Sequence, residues 1–154
     1  MRLKTVFFTG LFAVLSFSAQ AQPPAPETVL STLKTAHPRL HLSDEKLAKL
    51  KEARKTDAVL DKYVRDVIAR AEVGLAKPPL EHVLIGPRLL SVSRECLARV
   101  LDLGLAYRFT GEEKYARACE SNLLTVCAFP DWNPSHFLDV AEMTNAVGIG
   151  YDWL

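Results

Sequence analysis

The chain has 154 residues, 49% hydrophobic and 24% charged, which is the balance of an ordinary globular domain and excludes collagen-like, low-complexity and disulfide-scaffold proteins. Its 19 basic and 18 acidic side chains leave a formal charge of +1, so composition carries no electrostatic footprint for nucleic acid or for an anionic membrane surface. No nucleic-acid partner is expected.

Residues 1–21 read as a secretory signal peptide. Arg2 and Lys4 make a basic start, Val6 to Phe17 an apolar run, and Ala19-Gln20-Ala21 the small-x-small pattern that precedes cleavage. The apolar run falls short of the roughly 20 residues that span a bilayer. Cleavage before Gln22 predicts a periplasmic or secreted product with no membrane contact, and removal of Arg2 and Lys4 turns 19 basic against 18 acidic into 17 against 18, a formal charge of −1. Pro23, Pro24 and Pro26 then suggest that residues 22–42 form an extended, Pro-containing leader.

From Ser43 onward the apolar spacing is helical and no period-2 alternation intervenes, so the chain is expected to be all-α, built of antiparallel helical hairpins. Ser43 is placed to cap a first helix, with Asp44 and Glu45 in its first turn and Leu47 and Leu50 on one face. Leu60, Val64, Val67, Ile68 and Ala71 predict a second helix, paired with the first and broken by Lys77-Pro78-Pro79. After Gly86-Pro87, the stripe Cys96, Val100, Leu103 and Tyr107 predicts a third, ending with Gly111 in the left-handed conformation. Tyr115, Ala116, Cys119, Leu123, Val126 and Cys127 give a fourth helix a core face. A fifth is expected from about Pro134, capped by Asn133 or Ser135, with Phe137, Val140, Ala141, Thr144, Ala146 and Val147 along it and a close backbone approach at Gly148 and Gly150. Its large aromatic end, Tyr151-Asp152-Trp153-Leu154, suggests a chain truncated within or just after that helix, so that residues 43–154 would be a partial domain.

Three cysteines leave one unpaired. Cys119 and Cys127 lie about 12 Å apart along one helix, too far for a disulfide. A Cys96–Cys127 bridge across the Gly111 hairpin is an alternative to buried free thiols, which the spacing favours.

The segment Phe129-Pro130-Asp131-Trp132-Asn133-Pro134-Ser135-His136-Phe137-Leu138-Asp139-Val140-Ala141-Glu142 crowds amide, imidazole, carboxylate and indole groups at one helix entrance. A saccharide groove needs that mixture: planar polar groups for hydroxyls and an aromatic ring for the apolar sugar face. With a helix from Pro134, His136, Asp139 and Glu142 share one face. The bland alternatives are an N-cap for Asn133, a first-turn residue for His136, a loop plug for Trp132 and a solvated stripe for the carboxylates. The spacing is not that of a HExxH zinc site, and no metal or cofactor is implied. His37 and His41 flank an extended segment that they more simply fix in place than use for a partner, and His82 is isolated.

Three runs together resemble the N-terminal part of the heparinase II/III-like polysaccharide lyases. They are His37-Pro-Arg-Leu-His-Leu-Ser43, Leu105-Ala-Tyr-Arg-Phe-Thr-Gly-Glu-Glu-Lys-Tyr115 and, most specifically, Trp132-Asn-Pro-Ser-His-Phe-Leu-Asp139 running on to Gly150-Tyr-Asp-Trp-Leu154. The resemblance implies an exported bacterial enzyme whose helices form part of an incomplete (α/α) toroid, followed by a β-sheet region that this chain lacks. It implies β-elimination on an acidic, uronate-containing polysaccharide, with the catalytic tyrosine, histidine and carboxylate neutraliser encoded beyond Leu154 and this portion alone inactive. By the same resemblance Trp132, Asn133, His136 and Asp139 are substrate-lining residues: Asn133 and His136 hydrogen-bonders, Trp132 a stacking or loop-fixing ring, Asp139 an orienter. Two other readings remain. A glycoside hydrolase would need two carboxylates across a bond, which Asp139 and Glu142 on one helix do not supply; a non-catalytic helical binding scaffold would need a regular repeat, which is not evident.

Overall fold

The computed structural model describes residues 25–154, so the export signal expected over residues 1–21 lies outside the described residues. The described residues fall into two units, divided after Leu33. They are all-α, with six helices and no strand; Ile85 and Arg88 form only an isolated bridge. In the first unit, α1 (Pro26–Leu30) corrects the extended leader. A proline at the first helical position has its φ already set and no N–H to lose, and Glu27 follows it in the first turn.

The second unit runs from Lys34 to Leu154. Here α2 (Asp44–Ala53) begins where the Ser43 hydroxyl accepts from Lys46 N at 3.3 Å. Asp57 does the same for α3 (Ala58–Leu75), its carboxylate accepting from Val59 N at 2.9 Å and Leu60 N at 3.0 Å. The third long pattern is α4 (Leu90–Thr110), closed by Gly111 at φ 76° with its N–H donated to Tyr107 O at 2.7 Å. A two-residue turn then reverses the chain into α5 (Glu113–Cys127), and α6 (Phe137–Trp153) follows the 129–136 loop.

The centre of this unit is α4, against which α3, α5 and α6 all pack. Cys96, Val100, Leu103 and Ala106 of α4 meet Ala71 of α3, Tyr115, Cys119, Leu123 and Val126 of α5, and Met143 and Ala146 of α6 in one core. Each large apolar side chain so buried contributes about 1.5–3 kcal/mol. A smaller core joins Leu42 and Leu47 to Ile149 and Trp153 of α6. The expected pairing of the first two long helices is therefore corrected: α3 packs on α4, and α2 turns its one buried leucine to α4 and α6.

Two close approaches explain glycines. A Cβ on Gly104 would stand 2.9 Å from the Trp153 ring, and one on Gly150 would stand 2.8 Å from Leu123. The partners at Gly150 are side chains rather than the backbone expected, and Gly148 has nothing near it. All three cysteines are free; Cys96 and Cys119 are buried, but Cys127 is exposed and does not face the core as its spacing suggested. Burial pushes the thiols of Cys96 and Cys119 up to about 12. Among the described residues no helix is long and apolar enough to cross a membrane.

Candidate functional site

The four sequence-selected residues are brought together, but most of their polar groups turn inward. Asn133 adopts φ 56°, a left-handed conformation that a short polar side chain tolerates, and its carbonyl accepts from His136 N at 2.9 Å. This turn delays the helix, so α6 starts at Phe137 with His136 as its N-terminal neighbour rather than at Pro134 with Asn133 or Ser135 as cap. Neither Asn133 nor Ser135 caps a helix.

Asp139 is the hub. It is fully buried, and its Oδ2 accepts from Asn133 Nδ2 and from the Leu89 N–H, each at 2.7 Å, while Oδ1 lies 2.7 Å from His136 Nδ1. Leu89 is the N-cap of α4, which has neither a side-chain cap bond nor an acidic residue in its first turn. Asp139 thus supplies from α6 the negative charge and acceptor that the start of α4 lacks. Burial alone would push the Asp139 carboxyl up, but hydrogen bonds from Asn133, His136 and Leu89 outweigh it and hold the group below the ordinary carboxylate value. Asp139 is therefore ionised and accepts the Nδ1 proton of His136, which leaves Nε2 as the ring's free edge.

The remaining polar atoms of Asn133 are also used. Its Nδ2 donates to Pro87 O at 2.8 Å and its Oδ1 accepts from the Ser135 hydroxyl at 2.7 Å. Trp132 is half-buried against the main core, and its indole N–H donates to Val126 O at 2.8 Å. The hydrogen-bonding role expected of Asn133 toward a ligand is corrected to an internal tie, and of the two roles open to Trp132 the loop-fixing one is seen. His136 alone keeps a ring nitrogen for something outside: its side chain is 27% exposed and Nε2 has no partner among the described residues. Glu142 does not extend this face; it pairs with Arg94 Nε at 3.1 Å. One residue was missed. Phe137, read from its spacing as a core residue, is 80% exposed beside His136. Only the position of the helix start, which the Asn133 turn decides, would have told the two readings apart.

A second buried carboxylate ties the other distinctive run. Asp152 is 2% exposed; it accepts from Arg39 N at 2.9 Å, Leu40 N at 2.7 Å and His37 Nδ1 at 2.7 Å. Trp153 Nε1 donates to Leu40 O at 3.0 Å, so the end of α6 clasps the 37–42 segment. His37 therefore fixes the chain, whereas His41 is exposed and His82 stands edge-on to Phe129 at 5.3 Å, 3.5 Å from Asp131. A recess of about 650 Å³ between α4, α5 and α6 is lined by Tyr107, Leu123, Leu124, Val147 and Tyr151, among others, and by none of the four selected residues. Among the described residues no group of three His, Cys, Asp or Glu side chains is placed to hold a metal ion.

No family model matches the chain, and no curated protein matches its sequence.

Proposed function

We propose that this chain is the N-terminal helical portion of an exported polysaccharide lyase that cleaves a uronate-containing polysaccharide, of the glycosaminoglycan or alginate type, by β-elimination. In this reading the hairpins belong to an incomplete (α/α) toroid. The observation that carries it is the His136 ring, locked by the buried Asp139 with Nε2 outward and followed along the chain by the exposed Phe137. An oriented imidazole beside an apolar ring supplies a hydrogen bond for a sugar hydroxyl and a platform for a sugar face. Further support comes from the runs on which the family resemblance rests. Asp139 and Asp152, both within the most specific of these runs, are buried carboxylates that join distant segments of the fold.

β-Elimination removes the uronate C5 proton, breaks the C4–O bond and leaves a C4=C5 double bond, so the enzyme must offset charge developing at the carboxylate. His136 and Phe137 are assigned to holding the polymer, while Asn133, Asp139 and Trp132 keep that edge in place. Digestion of uronate polymers by the full-length protein is expected to produce an ultraviolet-absorbing unsaturated uronate. Reducing ends released without that absorbance would make it a hydrolase instead. His136→Ala and Phe137→Ala are expected to weaken polymer affinity, His136→Ala by about tenfold, the worth of one good hydrogen bond. Unchanged affinity in both would reject the site.

A further inference from the structure

We infer that the recess between the end of α3 and the middle of α5 is a binding site for an oxyanion, a carboxylate or sulfate-like group; the inference does not rest on the polysaccharide reading. The recess holds about 130 Å³ and is lined by Lys77, Arg99, Ser121, Asn122 and Thr125, with Pro78 and Pro79 at its side and no carboxylate in its wall. At roughly 30 Å³ per water molecule, that volume takes a few waters or one small oxyanion group.

The donors are placed before any ligand arrives. Arg99 is only 8% exposed, and its Nε donates to Glu95 Oε1 at 2.8 Å while Nη1 donates to Pro78 O at 2.7 Å and Asn122 Oδ1 at 3.2 Å. Asn122 is itself oriented, because its Nδ2 donates to Ala118 O at 2.8 Å. The second terminal nitrogen of Arg99, Nη2, has no acceptor among the described residues, nor has the Ser121 hydroxyl. Lys77 Nζ meets the same Glu95 oxygen at 2.6 Å and retains two further N–H groups.

Charge counts the same way. Two cations share one carboxylate, and Glu95 stands outside the wall of the recess. Burial would push the Glu95 carboxyl up, but hydrogen bonds from Lys77 and Arg99 bring it below its ordinary value, so it stays ionised and the local balance is +1. The carbonyls at the end of α3 are partly engaged, Val73 O by Ala76 N and Gly74 O by Lys77 N. A guanidinium that is mostly removed from water and has an unspent N–H gains more from an anion than an exposed one does, and such bonds are about twice as strong as neutral ones.

The test is a titration of the full chain with sodium sulfate, sodium phosphate and sodium glucuronate, followed by amide and Arg99 Nε–H nuclear magnetic resonance shifts. Sodium chloride at matched ionic strength is the control. Saturable shifts confined to Arg99, Ser121, Asn122 and their neighbours are expected. Lys77→Met and Ser121→Ala, both at exposed positions that leave the core intact, are expected to weaken the apparent Kd by about five- to tenfold with unchanged unfolding midpoints. Tighter binding of glucuronate would identify a saccharide-borne carboxylate, and tighter binding of sulfate or phosphate a free or ester oxyanion. Shifts reproduced by chloride, or a Kd indifferent to both substitutions, would overturn the inference. His136→Ala is expected to leave these shifts unchanged, so a failure of polymer binding at His136 and a failure of this recess are separate results.

Discussion

Replacing Asp152 is the sharpest test of how α6 holds the 37–42 segment. Its carboxylate is 2% exposed and accepts two backbone N–H groups, of Arg39 and Leu40, as well as the His37 ring. Asp152→Ala removes the charged acceptor shared by both backbone donors and His37, at about 1.5–3 kcal/mol for each bond to a charged group; the expected loss is about 3–5 kcal/mol. Asp152→Asn keeps one carbonyl oxygen for the backbone pair and turns an amide N–H toward His37, whose ring can accept by changing tautomer. Its cost falls to the lost charge assistance, about 1–2 kcal/mol. Against a total of about 5–15 kcal/mol for a domain, the alanine variant should lower the urea midpoint by about 2 M and the asparagine variant by less than half of that. Equilibrium urea unfolding followed by circular dichroism reads both. Equal midpoints for the two variants, or a loss under about 1 kcal/mol for alanine, would refute the claim that the carboxylate organises the segment.

Both buried carboxylates also predict a pH dependence. Hydrogen bonds hold Asp139 and Asp152 below their ordinary values in the folded protein despite the opposing effect of burial, so their contribution is complete above the unfolded value of about 3.9 and is lost as pH falls through the lower folded values. Acid titration of stability should show this loss, and Asp152→Asn should flatten it; an identical slope would refute the assignment. Glycine substitutions should divide by surroundings. Gly104→Ala drives a Cβ to 2.9 Å from the fixed Trp153 ring and should cost about 1–3 kcal/mol, whereas Gly148→Ala, with open space within the helix, should stabilise by about 0.5–1 kcal/mol. Thermal unfolding of the two variants checks the sign.

Much of the helical order was readable. Ser43, the Lys77-Pro78-Pro79 break and Gly111 are local signals, because a cap, a missing N–H and a left-handed residue act within one turn. The buried faces of α3, α4 and α5 largely followed their apolar periods for the same reason. The site was readable only in part. Asn, His and Asp crowding one loop marked the place, yet spacing set the start of α6 at Pro134, and the turn at Asn133 moved it to Phe137. That displacement turned Phe137 outward and made Asp139 an internal hub.

Residue order alone thus settled most helix ends and most apolar stripes, since those depend on neighbours a few positions away, though not the helix at Pro26 or the start of α6. Which helix packs on which, and what each carboxylate does, depended on residues far along the chain. Asp139 finds the Leu89 N–H only with α6 packed on the start of α4, and Asp152 finds those of Arg39 and Leu40 only with the 37–42 segment laid against the end of α6. A buried charge takes its partners from whatever unsatisfied donors the packing brings to it, and no local pattern encodes that meeting.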